Sequence, residues 1–147
     1  MDHLSLEDAV EEALCFGWID STLKPIDKDL SSLLFTPRRP KSVWSRHNKR
    51  RVASLIKRGL MTESGLRAIQ AAKRNGSWSA LNDVEALRVP DDLARALGAN
   101  VVAKRNFDAS SRSRKQGILW WIVSARRPAT RSRRIAETVK QLNVRFD

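Results

Sequence analysis

Ser5-Leu6-Glu7-Asp8-Ala9-Val10-Glu11-Glu12-Ala13-Leu14-Cys15-Phe16-Gly17 decides the fold class. Ser5 stands where a helix N-cap belongs, and Asp8, three residues on, acts as the acid of a capping box. Leu6, Ala9, Val10, Ala13, Leu14 and Gly17 recur at helical spacing and form one stripe. Glu7, Glu11 and Glu12 lie off it. Gly17 stops the helix, and Trp18 and Ile19 are expected to fold onto the core.

The same grammar recurs downstream. Ser42 reads as the cap of a helix whose inner stripe is Trp44, Asn48, Val52, Leu55 and Ile56, ending near Gly59. Arg46, Lys49, Arg50 and Lys57 fall mostly on its other side. Thr62 caps the next helix, with Met61 and Leu66 as a hydrophobic staple and Asn75-Gly76 as its stop. Trp78 and Leu81 belong to a loop that packs back. Asp91 and Asp92 open a short helix that Gly98 ends. Another runs from Val101 to Phe107. Ser110 or Ser111 caps a helix with Ile118, Leu119, Ile122 and Val123 inward. Pro128 opens the last, whose stripe is Arg131, Ile135, Thr138, Val139 and Leu142.

Only Ser21 to Pro37 breaks this period. Leu23, Ile26, Leu33 and Phe35 sit among polar residues, and Asp27-Lys28-Asp29 reads as a turn, so a short hairpin is predicted. Pro25 marks an edge or irregular strand. The expected fold is mainly α: a compact multi-helix domain with one small β-hairpin near the N-terminus. A single domain is expected over 1–147, with helix and hairpin in 1–40, central helices in 41–98 and C-terminal helices in 99–147.

The chain has 147 residues, one cysteine, two histidines and a formal charge of +12. That length buries a core without staples. One cysteine excludes an internal disulfide framework and a multi-cysteine zinc site. No apolar run approaches the roughly 20 residues of a spanning helix, and no signal peptide is visible. A soluble, cytoplasmic, basic protein is expected.

The charge is unevenly placed. Met1 to Asp20 holds six acids and no Lys or Arg. Arg38 to Arg58 holds nine bases and no acid, and Lys104 to Asp147 holds twelve bases against three acids. Part of this charge is expected to pair internally, the acids of the first helix against basic helices. The rest concentrates polyanions without reading a base sequence. Arg38, Arg39, Arg46, Arg50, Arg126, Arg127, Arg133 and Arg134 are the candidate anion-binding residues, since guanidinium forks suit phosphate and carboxylate. Arg38 and Arg39 join the C-terminal group if the two segments meet in space. Arg131, on an apolar stripe, is the structural exception, expected to pair with an acid of the first helix.

Other chemistry is thin. Cys15 lies in an apolar turn near Glu11 and Glu12, a setting that raises a thiol pKa, and reads as a buried small hydrophobe. His47 sits on a cationic helix with no second ligand at metal spacing. Trp18, Asp20, Trp44 and Asn48 are candidates for a small-molecule pocket, although turn chemistry or an arginine partner such as Arg38 explains Asp20. Trp44, Trp120 and Trp121 invite base stacking, but lie on or near apolar stripes. One of Trp120 and Trp121 is expected to show an edge to solvent. No phosphate loop, nucleophile elbow or paired-carboxylate motif appears.

Three groups of residues carry a family resemblance. They are Ala13-Leu14-Cys15-Phe16-Gly17-Trp18-Ile19-Asp20, then Phe35-Thr36-Pro37-Arg38-Arg39 with Ser42-Val43-Trp44-Ser45, Asn48, Gly59, Met61-Thr62 and Gly65, and finally Ala125-Arg126-Arg127-Pro128-Ala129-Thr130-Arg131-Ser132-Arg133-Arg134-Ile135. Together they resemble the bacterial YdeI/OmpD-associated, or bacteriocin-protection, family over nearly the whole chain. Members of that family usually carry further residues ahead of the first group, so a short member is expected, and the hairpin here is less charged than theirs. The resemblance implies a link to antimicrobial-peptide resistance and to an outer-membrane porin. It implies no reaction, cofactor or catalytic residue. The reading is therefore a non-catalytic binding module, without cofactor, for nucleic acid or another polyanion. The alternatives are an adaptor with a protein partner in envelope stress, and a small-molecule enzyme.

Overall fold

A computed structural model describes residues 5–144. Its contacts divide the chain into two compact units that meet in sequence after Leu81. Eight helices and one antiparallel hairpin are present among the described residues, the mainly α architecture expected.

In the first unit, α1 spans Leu6–Cys15, β1 Trp18–Pro25, β2 Ser31–Pro37, α2 Arg46–Lys57 and α3 Glu63–Asn75. Ser5 caps α1 as expected: its Oγ accepts from the Asp8 N–H at 3.1 Å and donates to the Asp8 carboxylate at 2.6 Å. The hairpin pairs Trp18 with Pro37 through Pro25 with Ser31 and carries a bulge between Asp20 and Thr22. Its turn is closed by Asp27, whose Oδ1 accepts from the N–H groups of Asp29 (2.9 Å) and Leu30 (2.8 Å). Two strands are marginal alone. Here α1 packs against β1, and Leu33 and Phe35 lie partly buried against a core of Val10, Leu14, Cys15, Trp44, Val52, Leu55, Ile69 and Ala72.

Two local expectations need correction. Ser45, not Ser42, caps α2, accepting from the Asn48 N–H at 3.2 Å. Trp44 therefore precedes the helix, tied by its own N–H to the Ser77 carbonyl at 3.3 Å. Trp18 does not fold onto the core. It opens β1 with 41% of its surface exposed, because the αL turn at Gly17 (φ +76°) carries the chain out of α1 into the hairpin.

The acids of α1 do meet α2: Glu7 lies 3.6 Å from Arg51 and Glu11 lies 3.0 Å from Arg58. The junction of α1 with α3 is tight. The Cys15 carbonyl accepts from the Thr62 N–H (3.1 Å) and hydroxyl (2.6 Å), directly beside Gly65.

In the second unit, α4 spans Asn82–Glu85, α5 Asp91–Gly98, α6 Val101–Ala109, α7 Arg112–Val123 and α8 Pro128–Leu142. Helix α4 is one turn, too short to show a period in the sequence. Helices α5, α6 and α7 each pack on α8. Asn100 and Ser111 cap α6 and α7. Leu93, Leu97, Ala103, Phe107, Leu119 and Ile122 are buried, with Ile135, Thr138 and Leu142 of α8.

Arg131 is structural as expected, but its partner is Asp92 of α5 rather than an acid of α1. The pair is bidentate, Nε to Oδ2 at 2.6 Å and Nη2 to Oδ1 at 3.0 Å. The Arg131 hydrogen bond holds the Asp92 carboxyl below its ordinary range, with lesser help from the Leu93 N–H, against the opposing effect of burial. The folded pKa lies below the unfolded one, so this stabilisation is present above the ordinary carboxylate pKa and lost as pH falls through the folded value. Asp92→Asn should cost about 1 kcal/mol at neutral pH, little because the pair is partly exposed. It should also flatten the loss of stability below about pH 4. Urea titrations of the full chain at neutral and acid pH check this; equal acid loss in both proteins would count against it.

Candidate polyanion-binding surface

The arginines separate into internal and exposed groups. Arg38 is internal. Its guanidinium lies 3.7 Å over the Trp44 ring, and Nη2 donates to the Val43 carbonyl at 2.8 Å. Burial lowers its pKa to about 10, opposed by the Asp20 carboxylate. Trp44 is in turn 5.1 Å from the Trp78 ring, tilted by 47°. Lys73 and Lys49 lie 5.1 and 5.5 Å from that ring. A cation–aromatic stack runs through the first unit, and it removes Trp44 from any stacking with bases.

Arg134 is internal too. Its Nη1 donates to the Trp121 carbonyl (2.5 Å) and the Ser124 hydroxyl (3.2 Å), closing the end of α7, and its guanidinium lies 5.3 Å from the Trp121 ring. Arg133 sits 3.6 Å from Glu137, one turn along α8. Trp120 and Trp121 are both partly buried, so the tryptophan most open to solvent is Trp18, which the apolar pattern did not reveal.

Arg39, Arg46, Arg50, Arg126 and Arg127 are exposed. Arg39, Arg46 and Arg50 belong to the first unit, Arg126 and Arg127 to the second. Within α2, Arg46, Arg50 and Lys57 fall within about 40° of one another around the axis and span about 16 Å along it. All three are exposed, and α2 contains no acid. Arg51, about 120° round the helix from that line, is spent on Glu7 and on Asn48 Oδ1 (3.2 Å). Lys57 completes the line and was legible as an outward residue. Arg126 and Arg127 flank the start of α8, where no acid stands in the first turn.

The pocket residues scatter. Trp18 lines an open groove with Asp8, Ala9, Glu12, Ala13, Phe16 and Phe35. Asp20 is exposed in β1, Trp44 is buried, and Asn48 holds Arg51. Cys15 is buried, and desolvation, then Glu12 and Glu11, pushes its thiol pKa up, opposed by Arg58. That is the setting of an inert thiol. His47 is exposed on α2. No helix among the described residues is long and apolar enough to cross a membrane.

Two family models match the chain. Residues 86–143 match the family model described as Bacteriocin-protection, YdeI or OmpD-Associated. It contains the Ala125–Ile135 motif. Residues 1–68 match a different model, described as Domain of unknown function (DUF8412). The motifs from Ala13 to Gly65 fall within that match, outside the region the first model covers. No curated protein and no solved structure matches the chain.

Proposed function

We propose that the protein is a non-catalytic binding module whose first unit holds a polyanion along α2. The observation that carries this reading is the line of Arg46, Arg50 and Lys57 on one exposed face of a helix without acids. Arg39, also exposed, precedes α2 in the sequence. Cations spaced over about 16 Å of helix suit a run of phosphates better than one small anion. Long side chains on a solvated face follow a phosphate backbone without reading bases, so the partner class is nucleic acid or a comparable polyphosphate. The description of the family model that residues 86–143 match names bacteriocin protection, and a protective role of that kind in the cytoplasm is part of this reading.

Three or four phosphate contacts imply a log–log salt slope of roughly −3. Affinity for a duplex oligonucleotide should therefore fall about fiftyfold or more between 50 and 200 mM salt. Fluorescence anisotropy on the full chain measures this. Absence of binding in low salt, or a flat salt response, would count against the reading.

A further inference from the structure

The acids of helix α1 differ in their partners. Glu7 and Glu11 turn to α2 and are neutralised by Arg51 and Arg58. Asp8 and Glu12, one turn apart, line a groove of about 640 Å³ and also border the hollow that holds Glu11 and Arg58. Ala9, Ala13, Phe16, Trp18 and Phe35 complete the lining of the groove. Among the described residues no cation pairs with Asp8 or Glu12; Asp8 keeps only the Ser5 hydroxyl. Phe16 and Trp18 remain 47% and 41% exposed. Open aromatic surface of this kind, gathered around a concavity, marks an interaction site.

We propose that this groove docks a cationic amphipathic helix from another protein. Alanine at positions 9 and 13 keeps the α1 wall low, so the backbone of an occupant comes close. Phe16, Trp18 and Phe35 take apolar side chains repeating at helical spacing, the helix-in-groove mode of recognition. Asp8 and Glu12 face Lys or Arg residues one turn apart on the occupant. The charge complementarity selects the class: on a chain of net charge +12, this groove has carboxylates in its lining and suits a cation. The surface is separate from the α2 line, so this proposal goes beyond polyanion binding and stands or falls apart from it.

A labelled amphipathic Leu/Lys peptide, titrated with the full chain in anisotropy, tests the proposal. A Leu/Glu peptide of the same pattern and an oligolysine serve as controls. The Leu/Lys peptide should bind at least tenfold more tightly than either. Trp18→Ser should weaken it about thirtyfold, as loss of an aromatic anchor does. Glu12→Lys should weaken it about tenfold by turning attraction into repulsion. Circular dichroism and a cooperative urea transition establish that each variant is folded. Should Trp18→Ser fail to fold, Glu12→Lys, on an exposed helix surface, still decides. Unchanged affinity in a folded variant would overturn the proposal. So would equal binding of either control peptide. A dimer in sedimentation that Trp18→Ser abolishes, and that excludes the peptide, would assign the groove to a second copy and overturn it as well.

Discussion

Trp44→Ala should destabilise the protein by about 4 kcal/mol, the largest single effect expected. The side chain is 1% exposed and sits in the core of the first unit between Arg38 and Trp78. Truncation opens a cavity of indole size. It also uncovers a guanidinium whose Nε and Nη1 are buried without hydrogen-bond partners. A domain is stable by only about 5–15 kcal/mol, so the variant stands near the margin. Trp44→Phe keeps an aromatic face for Arg38 and should lose much less. Trp18→Ala, at an exposed ring, should cost about 1 kcal/mol or less. Urea denaturation followed by circular dichroism checks the ranking. A loss at Trp44 no greater than at Trp18 would contradict the packing described.

The second large effect is expected at Gly65. A Cβ there would lie 2.3 Å from the Cys15 carbonyl oxygen and 2.9 Å from its carbon, both backbone atoms. Helix α1 would have to move away from α3. That movement pulls the Cys15 carbonyl from both the Thr62 N–H and hydroxyl, and disturbs the Thr62 cap on the Gly65 N–H (3.2 Å). Gly65→Ala should therefore cost about 3 kcal/mol or more, at the upper end of overpacking effects. Gly117→Ala is the control, since nothing lies within 4 Å of a Cβ built there. Inside α7 it should stabilise by about 0.5–1 kcal/mol, the ordinary gain of alanine over glycine in a helix. Denaturant midpoints that move together for the two variants would refute the close approach.

These two sites show what was legible in the sequence. Local signals read well. Ser5, Thr62 and Pro128 mark helix starts, Gly76 a stop and Asp27 a turn, because each acts through neighbours a few residues away. The cap of α2 stands one turn later than its sequence suggests. Ser42 and Ser45 both suit a cap, and Trp44 fits the helical period of Asn48, Val52 and Leu55. The Ser45 cap and the distant Ser77 carbonyl show that Trp44 lies outside the helix. Gly65 carries no local mark of its contact with Cys15.

Charge was legible as a total and as blocks, but not residue by residue. Arg38, Arg131 and Arg134 look like their exposed neighbours in the sequence. They become internal through Trp44, Asp92 and the Trp121 carbonyl, partners set by tertiary packing. Trp18 failed in the opposite direction: an aromatic after a helix reads as core, yet the turn at Gly17 delivers it to solvent.

Salt-dependent duplex binding by three forms of the full chain is the most direct test of the central claim. These are the parent, Arg50→Glu with Lys57→Glu, and Arg126→Glu with Arg127→Glu. If α2 holds the polyanion, the first double reversal weakens binding at least tenfold in low salt and lowers the salt slope by about 2, while the second leaves most of both. Affinity and slope that survive reversal at Arg50 and Lys57 would contradict the account.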